Sequence, residues 1–281
     1  MPPVPPQSRA PAERLALRHI AEQAARAGGE VARRAFRTDC GVRLKADRSE
    51  VSDADEAAQV AVVSVIRTHR PHDAFIAEET LRLPDGAAVP PPPTADRVCW
   101  VIDPIDGTRN FVRGIPLYAC CVAAMLDGRP ICGAICVPEH DRLYSATHPG
   151  ALLVDGQPQP ARGPAAARPA GFNPKPVVAI PSSPGVVASI AHDWLDRYVC
   201  RSLGSTALHL LLVATGELDA ALADNPRLWD VAAGWALLYA SGGTLTTPDG
   251  QPLFPLDVSG YAGQALPCIA ASAAFAGLAR R

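Results

Sequence analysis

Two carboxylates, Asp103 and Asp106, stand three positions apart directly after an apolar stretch. The stretch, residues 99–102, has the composition of a buried strand. We therefore expect Asp103 at the strand end, where ligands usually bind to a sheet. Carboxylate oxygens are hard donors of the kind that Mg²⁺ prefers. The pair predicts a divalent-cation site at the end of a strand.

The residues that follow, Gly107 and Thr108, are suited to a phosphate. Glycine lets the backbone come close to a ligand, and a helix that begins here would present free amide groups to an anion. Carboxylates beside a phosphate would repel it strongly in a partly desolvated site, and divalent cations between them reverse the sign of that interaction. The segment therefore predicts phosphate chemistry that depends on Mg²⁺.

The whole string at residues 100–111, Trp-Val-Ile-Asp-Pro-Ile-Asp-Gly-Thr-Arg-Asn-Phe, resembles a signature of the inositol monophosphatase family. These are Mg²⁺-dependent, Li⁺-sensitive phosphomonoesterases. Residues 228–234, Leu-Trp-Asp-Val-Ala-Ala-Gly, resemble the family's second signature, and the segment at 204–207 is similar to its substrate-side helix. The resemblance covers nearly the whole chain after a proline-rich leader. It implies two or three Mg²⁺ ions at each site and a homodimer.

The resemblance assigns the predicted metal ligands. Glu78 matches a ligand that also helps to activate water, and Asp103 matches the carboxylate that bridges two metals. The carbonyl of Ile105 matches a main-chain ligand, and Asp106 and Asp230 match the ligands of the second metal. The neighbouring Glu79 is a rival of Glu78, because adjacent residues on an extended segment point to opposite faces. The family pattern favours Glu78.

The resemblance also assigns residues around the attacking water and the substrate. Thr108 matches the hydroxyl that orients the water, and Asp55 aligns with an acidic residue near the metals, although the same side chain could simply cap its helix. Lys45 aligns with a basic residue at the mouth of the site, and a solvated surface lysine is the alternative. Glu78, Thr108 and Asp55 form the predicted catalytic set. The predicted substrate-binding set is Gly107, Thr108, Asp106, Ser205, Thr206, Asp224 and Lys45.

The alcohol carried by the phosphate is less well defined than the phosphate chemistry. Inositol phosphatases hold the ring hydroxyls with a Glu seven positions before the second-signature Asp, and that position is Ala223 here. Inositol-1-phosphate is the first candidate substrate, and histidinol phosphate is the main competitor because Asp224 could hold an amino group. Substrates with a second phosphate are less favoured, although Arg201 and Arg227 keep them open. A regulatory or binding protein that retains the fold without turnover is the alternative from another class.

Other phosphatase designs fit the sequence less well. The haloacid-dehalogenase type needs an apolar strand before Asp-x-Asp, but polar residues precede Asp53-Ala-Asp55. No P-loop is present. The seven histidines, His209 among them, include no His-x-x-x-His pair, and we expect each to be surface or core filler. The eight cysteines lack paired spacing and are expected to be reduced thiols.

The elements that must position these residues are visible in the apolar pattern. Helical spacing over residues 17–31 predicts a first helix, and Ser52-x-x-Asp55 has the form of a capping box that begins a second. Residues 75–77 predict a strand that stops at Glu78. Two apolar runs around Asp127-Gly128, at 117–126 and 130–137, predict a hairpin. The second half predicts strands at 177–180, 220–223 and 269–271 and helices at 186–198, 205–215 and 231–240.

This mixture of hairpins and helix–strand alternation predicts layers of sheets and helices, not a plain Rossmann domain. The fold class is α/β (α+β layered), and the resemblance implies an αβαβα sandwich. We expect a flexible proline-rich leader at 1–11 and an N-terminal α+β half at 12–160 with most metal ligands. A C-terminal α/β half at 161–281 would carry Asp230 and the substrate-side helix.

Composition limits the classes of protein. The chain has 281 residues, of which 48% are apolar and 19% charged, and this excludes a wholly disordered chain. Lys and Arg number 26 and Asp and Glu 28, so no broad basic field for nucleic acid exists. The longest uncharged apolar run, 114–126, is too short for a bilayer, and the N-terminus does not resemble a secretory signal. We expect a cytoplasmic protein that binds a small phosphorylated substrate, with no nucleic-acid or membrane partner.

Overall fold

The computed structural model describes residues 10–44, 50–81, 89–159 and 175–276. The helices in these ranges are α1 (Pro11–Ala35), α2 (Asp53–His69), α3 (Thr108–Val112), α4 (Ala188–Arg197), α5 (Thr206–Thr215), α6 (Leu228–Ala240) and α7 (Ala273–Ala276). The strands are β1 (Arg43–Leu44), β2 (Glu50–Val51), β3 (Ala74–Ala77), β4 (Cys99–Asp106), β5 (Ala119–Leu126), β6 (Arg129–Val137), β7 (Arg142–Thr147), β8 (Leu152–Val154), β9 (Gln157–Pro158), β10 (Val177–Ala179), β11 (Val199–Arg201), β12 (Ala220–Ala223), β13 (Thr244–Thr246) and β14 (Cys268–Ala271).

Two large sheets organise the described chain. The first has seven strands in the order β3-β4-β5-β6-β7-β8-β9, in which β3 and β4 are parallel and every other pair is antiparallel. The second has five strands in the order β11-β10-β12-β14-β13, with β10 parallel to both β11 and β12. The short strands β1 and β2 pair with each other.

Helices cover both faces of each sheet. Helices α1 and α2 pack on one face of the seven-stranded sheet, around buried Trp100 and Ile102. Helices α5 and α6 fill the space between the two sheets, where Trp235 is buried. Helices α4 and α7 pack on the outer face of the five-stranded sheet, around Leu222. The layers run αβαβα and confirm the predicted fold class.

The predicted hairpin is present. Strands β5 and β6 are joined by Asp127 and Gly128, whose φ angles of +51° and +69° are those of a type I′ turn. Asp155 and Gly156 repeat this geometry between β8 and β9, with φ angles of +49° and +77°. All eight cysteines are free thiols, as their spacing predicted.

Strand β4 differs from its prediction because it does not stop at Asp103. It continues to Asp106, but its pairing with β5 shifts by one residue between Asp103 and Asp106. Before this bulge Val101 packs towards the inter-sheet helices, whereas after it Ile105 packs towards α1 and α2. Residues three apart on a regular strand face opposite sides, so the extra residue places Asp103 and Asp106 on the same side.

Three predictions fall wholly or partly outside the described residues. Residues 1–9 of the predicted leader, the predicted boundary between the halves at 160/161 and the candidate substrate residue Lys45 lie there. The division into two halves stays a prediction, although the seven-stranded sheet ends at Pro158 and the five-stranded sheet begins at Val177. Among the described helices none has both the length and the apolar character that crossing a bilayer requires.

Candidate active site

Three aspartates from two distant parts of the chain meet at the end of β4. Asp103 and Asp106 come from the bulged strand, and Asp230 comes from the first turn of α6. Each offers a carboxylate oxygen within 4.8 Å of the others. Asp103 and Asp106 are only 1% and 6% exposed. The backbone N–H of Arg227 donates to Asp230 Oδ2 at 2.6 Å, and the helix N-terminus favours a negative charge there.

The electrostatics of this cluster favour a bound cation. Burial raises the pKa of Asp103 well above its ordinary value, and the charges of Glu78 and the two other aspartates raise that pKa further. Burial and the charges of Asp106 and Glu78 likewise raise the pKa of Asp230 well above its usual range. In the described ranges no Lys or Arg pairs with the three aspartates. Their negative charges therefore need protons or a cation, and a buried set of carboxylate oxygens fits a hard divalent ion.

Glu78 is close enough to this cluster for its charge to raise the pKa of both Asp103 and Asp230. It directly follows β3, and its N–H donates to the carbonyl of Ile102 on β4 at 3.1 Å. The next residue is held by a buried amide on α2: Gln59 Nε2 donates to the Glu79 carbonyl at 2.8 Å, and Gln59 Oε1 accepts from the Glu79 N–H at 3.0 Å. This clamp fixes the backbone that carries Glu78.

Sequence reasoning missed Gln59. Its spacing from Asp55 could have found it, because residues four apart share a helix face. Gln59 is 2% exposed, and Nε2 also reaches the Thr80 carbonyl at 3.2 Å. A buried glutamine one turn after a candidate site residue is therefore a recognisable signal for a polar partner at the site.

Asp55 caps its helix and also contacts Thr108, and its catalytic role stays a prediction. Its Oδ2 accepts from the Ser52 N–H at 2.8 Å and from Ser52 Oγ at 2.6 Å, which caps α2. Its Oδ1 accepts from Thr108 Oγ1 at 3.1 Å, and Thr108 Oγ1 also lies 3.0 Å from the Ile105 carbonyl. Burial, together with the charges of Glu78 and Glu79, raises the pKa of Asp55 to about 6.

The turn between β4 and α3 requires glycine. Gly107 has φ +95°, and a Cβ there would lie 2.9 Å from the Leu117 carbonyl oxygen. Gly107 is the N-cap of α3, so its own N–H and that of Thr108 lie at the helix N-terminus. The backbone predicted to hold the phosphate therefore makes a tight turn next to the acidic cluster, and its role as a phosphate cradle stays a prediction.

Asp106 also organises the start of α5. Its Oδ2 accepts from Ser205 Oγ and from the Ala207 N–H, the latter at 3.1 Å. Ser205 caps α5 by accepting from the Leu208 N–H at 3.1 Å. These bonds partly offset the effect of burial, which raises the pKa of Asp106 to about 6. The hydroxyl of Ser205 is therefore engaged within the protein, and its role as a substrate contact stays a prediction.

A cavity of about 250 Å³ opens beside Asp106 and Asp230. It includes the predicted substrate residues Thr206 and Asp224, and Asp224 Oδ1 accepts from the Val187 N–H at 2.9 Å. Ala223 also lines the cavity. Sequence reasoning did not assign four further polar residues of the wall to the site, which are Ser182, Ser183, His209 and Asn225.

Comparisons with known proteins find related chains and a related fold. A model of the inositol monophosphatase family matches residues 14–278. The Nus factor SuhB of Pasteurella multocida is 30% identical over 231 residues, which cover 80% of this chain and 82% of that protein. The probable inositol 1-monophosphatase ImpA of Mycobacterium tuberculosis is 36% identical over 176 residues, covering 61% of this chain and 65% of that protein.

Solved structures show the same fold. The extragenic suppressor protein suhB from Bartonella henselae superposes with a TM-score of 0.76 at 26% identity, and the match covers 94% of this chain and 97% of that one. The match extends through both sheets, so the relation is not confined to the short acidic strings.

Proposed function

The chain belongs to the inositol monophosphatase family, and we propose that it is a Mg²⁺-dependent phosphomonoesterase that hydrolyses a small polyol phosphate. Inositol-1-phosphate is the first candidate substrate. The observation that carries the proposal is the convergence of Asp103, Asp106 and Asp230, with oxygens within 4.8 Å, beside a polar cavity. A homodimer and a cytoplasmic location belong to the proposal as predictions from the sequence.

The acidic cluster would hold two or three Mg²⁺ ions. Its donors are the side chains of Glu78, Asp103, Asp106 and Asp230 and the carbonyl of Ile105. When bound, the ions supply Lewis acidity, which lowers the pKa of water and neutralises charge on the phosphate and the leaving alkoxide. The donor set is all oxygen, and this favours Mg²⁺ over softer metals.

Thr108, Asp55 and Glu78 would prepare the attacking water. A hydroxyl that donates to Asp55 Oδ1, as Thr108 Oγ1 does at 3.1 Å, keeps its lone pairs available to accept a hydrogen bond from water. Glu78 would offer a second acceptor beside the cluster. The pKa of Asp55, raised to about 6, leaves its carboxyl group ionised at neutral pH, so the orientation of Thr108 is maintained there.

The phosphate would lie against the N-terminus of α3, where the N–H groups of Gly107 and Thr108 donate to its oxygens. Water attacks phosphorus as the P–O bond to the alcohol breaks, and the alkoxide takes up a proton to leave as the alcohol. The alcohol would occupy the cavity beside Thr206 and Asp224. No covalent phosphoenzyme is required, because water is the nucleophile.

The nature of that alcohol depends on Ala223. Without a carboxylate at this position, inositol-1-phosphate loses a charge-assisted hydrogen bond, which typically reduces affinity about 10–100-fold. Histidinol phosphate is the alternative, with Asp224 as partner of its amino group. However, Asp224 Oδ1 is already held by the Val187 N–H.

A regulatory role without turnover is a second candidate, because the Pasteurella multocida relative is named a Nus factor. The three clustered aspartates, with Glu78 beside them, argue for turnover, since a binding module has no need of such a cluster.

Phosphate release from a substrate panel tests the proposal. The purified protein would be given inositol-1-phosphate, histidinol phosphate and glycerol phosphates, with Mg²⁺ or with EDTA. We expect release with Mg²⁺ and none with EDTA. A folded protein that binds Mg²⁺ and hydrolyses none of the panel would support the regulatory candidate instead.

A further inference from the structure

His209 is a buried imidazole in the wall of the cavity that the substrate alcohol would occupy. It belongs to the first half of α5 and is 5% exposed. Burial lowers its pKa to about 4, so the ring is neutral at physiological pH. A neutral imidazole carries one proton, and the nitrogen that holds it is decided by the bonds of the other nitrogen.

The backbone assigns the tautomer. His209 Nε2 lies 2.9 Å from the backbone nitrogen of Leu203, whose N–H is the donor, so Nε2 accepts and the proton must be on Nδ1. The backbone of Leu203 is held at its carbonyl as well, because Asn110 Nδ2 donates to that oxygen at 2.7 Å. The ring is thereby fixed in one orientation. Within the described part of the chain Nδ1 makes no hydrogen bond to the protein, and it is not fully shielded from solvent.

We propose that the Nδ1–H group of His209 determines specificity by donating a hydrogen bond to a hydroxyl oxygen on the alcohol part of the substrate. The inference rests on the proposed phosphatase function. The Nδ1–H group has no acceptor among the described residues, and the ring borders the cavity. A ligand oxygen there would satisfy the donor, and a fixed ring loses little freedom on binding.

The chemistry of this donor selects a class of substrate. An N–H group can donate a hydrogen bond but cannot accept one. It therefore favours hydroxyl or ether oxygens, which accept, over an ammonium group, which can only donate. With Ser182, Thr206 and Asn225 in the same wall, the cavity favours a polyhydroxylated alcohol. It would therefore prefer a polyol or sugar phosphate to an amino-alcohol phosphate such as histidinol phosphate.

Two variants, each with a polar group near only one of the two ring nitrogens, separate the proposed substrate contact of Nδ1 from the hydrogen bond of Nε2 to the Leu203 backbone. His209→Asn places a side-chain N–H near the position of Nδ1 but has no acceptor at the position of Nε2. His209→Gln places an acceptor near the position of Nε2 but has no donor at the position of Nδ1. The substrates are inositol-1-phosphate and cyclohexyl phosphate, which has the same ring without hydroxyl groups. The measured quantity is the ratio of their kcat/KM values.

We expect His209→Gln to reduce this ratio about 5-fold, mainly through KM for inositol-1-phosphate, and His209→Asn to leave it within about 2-fold of the wild-type ratio. Turnover of cyclohexyl phosphate confirms that each variant is folded. An unchanged ratio in His209→Gln, or loss of both activities in both variants, would overturn the inference in favour of a structural role. If the wild-type protein hydrolyses neither these two esters nor the other phosphates of the panel, the proposed phosphatase function itself fails.

Discussion

Replacing Asp103 by asparagine should abolish turnover and, at the same time, stabilise the metal-free protein. Asp103 is 1% exposed and shares its site with two other aspartates. Asparagine keeps an oxygen that can accept from the Ile105 N–H, as Asp103 Oδ1 does at 3.1 Å. Its amide group adds donors that face the remaining carboxylates. The variant therefore removes a charge with little change in shape.

The magnitude follows from the separation of the charges. Two unit charges 4.8 Å apart repel by about 3.5 kcal/mol at an effective dielectric constant of about 20, and because 4.8 Å is the largest separation in the cluster this is a lower value for each fully charged neighbour. Protonation relieves part of this repulsion, because the pKa of Asp103 is already raised well above its usual range. If about 1 kcal/mol is recovered, the melting temperature in EDTA at pH 8 should rise by about 2–4 °C.

The assay combines phosphate release with thermal unfolding of the same preparation. We expect at least a 1000-fold loss of kcat, because removing the negative charge of a proposed metal ligand weakens electrostatic stabilisation of the transition state. Asp193→Asn is the matched control: it removes an exposed carboxylate whose partner is Arg197, and both readouts should stay unchanged. Near-wild-type turnover, or a fall of several degrees in the EDTA melting temperature, would refute the reasoning.

Three further predictions concern other parts of the site. Ala223→Glu should lower KM for inositol-1-phosphate about 10-fold if the missing carboxylate limits binding, and steady-state kinetics with an unchanged KM would remove that explanation. Gln59→Leu should weaken Mg²⁺ binding measured by calorimetry about 10-fold, because the backbone after Glu78 loses its clamp, whereas the exposed Gln23→Leu should not. A carboxyl group whose pKa is raised by folding, to about 6 for Asp106, contributes stability at low pH that is lost as pH rises through that value. Added Mg²⁺ should therefore raise the melting temperature more at pH 8 than at pH 5.5, and equal shifts would contradict the cluster's role.

The sequence predicted the elements whose signals are local. Apolar periodicity located α1, and the capping box at Ser52 located the start of α2. The turn dipeptide at Asp127 located the β5–β6 hairpin. Each of these depends on residues that are close in the chain, so tertiary context did not override them. The family resemblance is confirmed, and the layered fold follows from it.

What the sequence did not predict depends on contacts between distant residues. The bulge in β4 is not visible in the composition of residues 103–106, because it arises from a shift of pairing with β5. The short strands β11 and β13 are defined by their partners and have no pattern of their own. His209 resembled core filler until the Leu203 backbone and the cavity were seen beside it.

The most direct test of the central claim is a crystal structure of the protein grown with Mn²⁺ and inorganic phosphate. Anomalous scattering would locate the metal without assumptions about its ligands. We predict at least two peaks within coordination distance of Asp103, Asp106, Asp230 and Glu78, with the phosphate between them and the Gly107 N–H. Phosphate bound elsewhere, or an acidic cluster without a metal peak at millimolar Mn²⁺, would contradict the account.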